Sequence, residues 1–209
     1  MRITAIALGV FASAAVAGGQ SVTVTFDPPI LPGGGYQIHA PYIQEGVSFS
    51  VTNHPYFAIY DGGLVGRPDN GTAYLADPIA MRFNFVNDAL FSFNRLDVAE
   101  YSDVFASPQF VQLFGHKADN TVVEFDFYTD GIFDGTGPLP DFQTIVLPDS
   151  FTDLRWVEFG LNNNTGAIAI DNVNLSVVPE PSLLAFVALG AASLTLVCAE
   201  RRHAGGGRC

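Results

Sequence analysis

Cysteine is nearly absent: Cys198 and Cys209 are the two the chain has, and both lie at its C-terminal end. The stretch from 18 to 178 therefore closes no disulfide, and must hold together by burying a core, which a stretch of this length can do. Positive charge is scarce too. Between 18 and 178, nineteen carboxylates face only Arg67, Arg82, Arg95, Lys117 and Arg155, a formal charge of −14. Such a surface repels nucleic acid, which is excluded as a partner, and an anionic membrane surface likewise. Helical patterning is missing from Ser21 to Val178, where no apolar stripe recurs at helical spacing.

The common catalytic signatures are also lacking. His39, His54 and His116 form neither HxxxH nor HExxH spacing, and there is no GxSxG elbow, P-loop or dinucleotide fingerprint. These absences favour a non-enzymatic chain. Carboxylates are plentiful enough for glycosidase-type acid/base chemistry, which needs two at a suitable separation. Most of them sit beside Gly or Asn, where turn formation explains them. Asp130-Gly-Ile-Phe-Asp134-Gly-Thr-Gly137 has the look of a cation loop but not EF-hand spacing, and no closing Glu.

What is present is period two. Val22, Val24 and Phe26 alternate with Ser21, Thr23 and Thr25; Val47–Val51, Met81–Phe85 and Val123–Phe127 repeat the pattern. Further strands are expected at Tyr56–Tyr60, Ala89–Phe93, Phe110–Phe114, Phe142–Leu147, Leu154–Phe159 and Ala167–Val178. Turn clusters separate them, among them Asp69-Asn70-Gly71 and Asp130-Gly131. Strands with one apolar face need a second layer, so the expectation is an all-β antiparallel β-sandwich or jelly roll spanning 18–177. The closing strand changes parity: Ile168 and Ile170 share one face, Val173, Leu175 and Val177 the other. A bulge at Asp171-Asn172 would turn both sets inward; without one, Asp171 itself is buried or bound.

Both ends read as targeting segments. Arg2 precedes an apolar run to Val16, and Ala15-Val16-Ala17 offers a signal peptidase site, giving a signal peptide over 1–17. Leu183–Ala199 carries no charge and, at about 1.5 Å per residue, makes a short membrane-spanning helix of about 26 Å. Pro179 and Pro181 set its start and Glu180 suits the N-terminal dipole. Arg201 and Arg202, in the basic tail 200–209, mark the cytoplasmic side. The middle of the chain is then outside the cell.

Val178-Pro179-Glu180-Pro181-Ser182, the span and the arginine pair resemble the PEP-CTERM sorting signal of exopolysaccharide-producing Gram-negative bacteria, over residues 178–209. The resemblance implies an exosortase as processing partner, transient anchoring in the inner membrane, and release to the envelope, outer surface or extracellular matrix, with exopolysaccharide or biofilm nearby. Val24-Thr-Phe-Asp27 and Tyr42–Val47 also resemble jelly-roll domains that accompany this tail. That resemblance implies a structural calcium at a sheet edge, with Asp27 and Asp171 as its ligands; no other cofactor is expected. Two alternatives stand beside a surface or matrix role. One is a lectin-like carbohydrate-binding module using Tyr36, Tyr42, Tyr56, Tyr60, Tyr74 or Trp156. The other is a hydrolase built on paired carboxylates.

Overall fold

The computed structural model describes residues 19–27, 36–51, 56–160 and 168–178. The signal peptide with Ala15 and Ala17, the motif residues Pro179–Ser182, the span 183–199, and Arg201 and Arg202 lie outside the described residues. Among the described residues no helix is long and apolar enough to cross a membrane.

The described chain is almost entirely antiparallel β. Its strands are β1 (Ser21–Val24), β2 (Tyr36–His39), β3 (Tyr42–Gln44), β4 (Val47–Val51), β5 (Tyr56–Tyr60), β6 (Tyr74–Ala76), β7 (Met81–Phe85), β8 (Phe91–Glu100), β9 (Phe110–Lys117), β10 (Val122–Tyr128), β11 (Gln143–Val146), β12 (Leu154–Phe159) and β13 (Ile168–Val177). Every strand expected from alternation is present. The short β2, β3 and β6 add to those expected, and β8 runs on to Glu100, seven residues past the expected Phe93.

The strands form one curled sheet. β2, β5, β6, β13 and β8, with β1 on β13 and β11 on β8, build one half; β10, β9, β12, β7, β4 and β3 build the other, joined where Leu154 of β12 meets Phe91 of β8. Curling brings the apolar faces together. Phe83 meets Phe93 edge-on at 5.3 Å between ring centroids, and Phe26 meets Phe49 at 5.3 Å. These rings, with Val24, Val47, Leu96, Val111, Leu113, Val157, Val173 and Leu175, are buried in a continuous core. Each large apolar side chain sealed in this way contributes about 1.5–3 kcal/mol.

The closing strand carries the bulge. β13 pairs with β8 through Asp171↔Asp97, and the register then shifts before Asn174↔Arg95. Asn172 takes the left-handed conformation (φ 47°), which Asn tolerates better than most residues. Ile168 and Ile170 on one side of the shift and Val173 and Leu175 on the other all reach the core. Asp171 is buried as well.

Candidate functional site

The outer face of the β9–β12–β7 region gathers the most chemistry. Along β12, Leu154 points into the core opposite Lys117, and the register shifts before Trp156, which lies opposite His116. Arg155 is the inserted residue. The bulge therefore turns two successive side chains, Arg155 and Trp156, to the outer face before Val157 returns to the core. Alternation without a bulge would have sent Trp156 inward.

Trp156 stands between neighbours from the two flanking strands. The His116 ring of β9 is stacked on it, 4.6 Å between centroids at 17°. The Arg82 guanidinium of β7 sits 4.3 Å from the ring centre. Beside these two contacts, the indole walls a cavity of about 420 Å³ lined by Arg82, Asn84, Asp88, Arg155 and Trp156. Asn84 donates its amide to Phe85 O at 2.9 Å. His116 Nε2 lies 3.7 Å from Glu158 Oε2. Desolvation holds the imidazole below its ordinary value, outweighing the pull of Glu158, and Arg82 adds to the depression.

The same face continues along β9 and β10. Phe110 and Tyr128 pair across the ladder with rings 5.3 Å apart, and Tyr128 is 65% exposed. Between this pair and His116, Gln112 bonds Glu124 at 2.5 Å. Six strand residues, about 20 Å, separate the Phe110 end from the His116 end. Tyr128 escaped the sequence reading; its place at the end of the alternating run Val123–Phe127 was the signal available.

The other sequence candidates fall differently. Tyr42 and Tyr74 are buried. Tyr60 belongs to a clamp in which Arg67 lies 4.7 Å from its ring centre and 3.9 Å from that of Tyr101, the two phenols 3.1 Å apart. The side chains of Tyr36 and Tyr56, and all of His54, lie outside the described residues. His39 is exposed at the end of β2.

Asp27 and Asp171 do share a neighbourhood. Asp171 accepts from Asn70 Nδ2 at 2.7 Å and from its neighbour Asn172 N at 2.7 Å, and the Thr72 hydroxyl lies 3.1 Å away. Asn70 cannot flip without losing the Thr72 N–H bond to its oxygen, 3.1 Å. Asp27 accepts from Ala73 N at 3.1 Å. Both carboxylates therefore anchor the Asp69–Ala73 turn, and those of Asp171 are occupied by N–H and O–H donors. Burial, reinforced by the charge of Asp27, pushes Asp171 up to about 7. Among the described residues no three His, Cys, Asp or Glu side chains are grouped to hold a metal ion.

A second carboxylate, Asp97, faces Asp171 across the ladder, and the Asn172 amide reaches both, at 2.8 and 3.4 Å. Thr144 Oγ1 holds the other Asp97 oxygen at 2.6 Å. The adjoining cavity of about 370 Å³ is lined by Asn70, Thr72, Asp97, Asp141, Phe142 and Asn172 among others. Asp171 stands behind that wall. In the 130–137 loop, Asp130 accepts from Ile132 N and Asp134 from Leu139 N, so these acids close turns on their own backbone.

The class defined by these features is an all-antiparallel β domain with an aromatic and polar outer sheet face. No protein-family model matches the chain, and no curated protein matches it. Among solved structures, it is similar to the family 11 carbohydrate-binding module of the cellulosomal cellulase Lic26A-Cel5E of Clostridium thermocellum, with 13% identity and a TM-score of 0.28, over 76% of this chain and 96% of that one.

Proposed function

We propose that this chain is an exported, non-catalytic surface protein whose β domain is a jelly roll that binds polysaccharide on the outer face of β10, β9, β12 and β7. One observation carries the reading: the β12 bulge sends Trp156 out to join His116 and Arg82, at one end of a face whose other end is the exposed Tyr128–Phe110 pair. The exposed Tyr128–Phe110 pair suits the C–H face of a sugar, and the amide- and carboxylate-lined strip that runs from it to Trp156 suits the hydroxyls of a sugar chain. Sealing these rings in the core would have been the stabilising choice for a purely structural domain.

The hydrolase alternative asks a carboxyl group to give a proton to a glycosidic oxygen. Asp171 is the acid raised toward neutrality, but its oxygens are engaged behind Asn70, Thr72 and Asn172, which supports the non-catalytic reading.

Delivery follows from the two ends of the sequence. In this proposal, signal peptidase cuts after Ala17, Leu183–Ala199 anchors the chain briefly in the inner membrane, and exosortase acts at Val178–Ser182. The closing strand supports it: β13 ends at Val177, and Val178 N is bonded to Leu90 O at 2.8 Å, so the ladder stops where the motif starts.

A glycan array probed with the full chain and with Tyr128→Ala tests the binding reading. Retention of a polysaccharide by the wild type and its loss in the variant are expected; an array on which the wild type retains nothing ends the proposal. Intact mass of the exported protein tests delivery, which fails if Leu183–Arg202 is still present.

A further inference from the structure

The cavity beside Trp156 is the one place where this acidic domain concentrates positive charge. Two of the five cations between 18 and 178, Arg82 and Arg155, line it. Among the described residues no carboxylate lies within ion-pair distance of either guanidinium; the recorded pair on this face joins His116 and Glu158. Asp88 lines the same cavity and Glu158 lies opposite Arg82 in the ladder, yet Glu158 is paired with His116 and neither acid comes within ion-pair distance of a guanidinium. The bulge adds to this, because it places Arg155 on the face next to Trp156. Arg82 is held in position by the indole, which limits the freedom it loses when a ligand arrives.

From this we infer that the cavity takes the carboxylate of a uronic acid residue in an acidic polysaccharide. The inference rests on the glycan-binding reading and specifies its ligand. A guanidinium presents paired N–H donors in one plane, matching the two oxygens of a carboxylate. Arg155 supplies the fork and Arg82 the second charge. Asn84 Oδ1 and the Asp88 carboxylate, the remaining polar groups of the wall, accept from sugar hydroxyls, and the Trp156 edge packs against the ring. Asp88 also opposes an unspecific anion, so charge alone does not fill the cavity.

The test is calorimetric titration of the full chain with polygalacturonate oligomers, with neutral dextran and with dextran sulfate. Expected are preference for polygalacturonate and about a tenfold loss of its affinity in Arg155→Gln, the worth of one charge-assisted hydrogen bond. The melting temperature should not change, because Arg155 is exposed. Arg155→Lys should recover only part, since lysine keeps the charge and loses the fork. Equal binding of dextran, unaffected by Arg155→Gln, overturns the uronate inference and leaves the glycan reading standing. Equal binding of dextran sulfate shows unspecific charge attraction and overturns it too. Failure to bind any of the three, together with an empty glycan array, removes both.

Discussion

His116 and Trp156 face each other across the β9–β12 ladder at 4.6 Å, nearly parallel, and the indole is the single tryptophan of the chain. That pairing makes the site observable. Imidazolium quenches indole emission in contact, so a fluorescence titration reads His116 directly. Desolvation lowers the His116 value, and Glu158 opposes that. The expected midpoint therefore lies below about 6.5, the ordinary histidine value, and Glu158→Gln moves it lower. A midpoint above the ordinary value would refute the desolvated stack. The stability consequence has the same sign: the folded state binds the proton less readily than the unfolded one. Stability is whole above the unfolded value and declines as pH falls through the folded one.

Asp171 behaves in the opposite sense. Its folded value is raised to about 7 by burial, against an ordinary 3.8. Its contribution is complete below the unfolded value and is lost as pH rises through the folded one. The wild type should thus lose stability relative to Asp171→Asn between about pH 4 and about pH 7, by on the order of a few kcal/mol. Urea midpoints of the two proteins across that range decide it. A constant difference means that Asp171 stays ionised throughout.

Calcium can be examined in the same preparations. Asp171 is surrounded by Asn70, Thr72 and Asn172 N–H, all donors, and Asp27 is bonded to Ala73 N. A cation would have to displace them. Chelator is expected to leave the melting temperature unchanged, because only a ligand bound to the folded state raises it. A rise on adding calcium would support the jelly-roll expectation for Asp27 and Asp171.

Alternation exposed most of this architecture, because half-buried strands such as Met81–Phe85 write their inner face into every second residue. It could not show β2, β3 or β6, which are three or four residues long and too short to set a period. The β13 bulge was legible, since apolar parity switches at Asp171-Asn172. The β12 bulge was not: Leu154, Val157 and Phe159 leave Trp156 readable as core, and only pairing with β9 shows the shift. The aromatic end of β10 was hidden for a related reason, as Tyr128 follows three inward Val and Phe residues without a turn signal. Asp27 and Asp171 were singled out together and do lie together, yet the donors around them come from the distant Asn70–Ala73 segment.

Gly115 shows how closely the layers approach. A Cβ there would come within 2.8 Å of Val123 Cγ2, 2.9 Å of Leu154 Cδ2 and 3.2 Å of Phe151 Cε1. These side chains are packed from β10, β12 and the turn before β12, so none moves freely. Gly115→Ala should cost about 1–3 kcal/mol of overpacking, although alanine has the better strand propensity. Chemical denaturation checks it; a neutral outcome would show that Val123, at the β10 edge, swings away.

Tyr74 offers a gain instead of a loss. Its ring is buried against Phe142 at 5.4 Å and Tyr60 at 6.1 Å, while its hydroxyl, also buried, has no hydrogen-bond partner among the described residues. Burial pushes the phenol well above its ordinary value, more than the nearby Arg67 pulls it down. An unsatisfied buried hydroxyl costs about 1–3 kcal/mol, and Phe keeps the ring contacts without it. Tyr74→Phe should therefore stabilise the domain by about 1 kcal/mol or more, read as a higher urea midpoint with an unchanged slope. Destabilisation would mean that a bound water satisfies the hydroxyl. In that case Tyr74→Phe would strand the water beside the Arg67–Tyr60–Tyr101 clamp, and Arg67→Met, which loosens that clamp, should no longer add its full cost in the double variant.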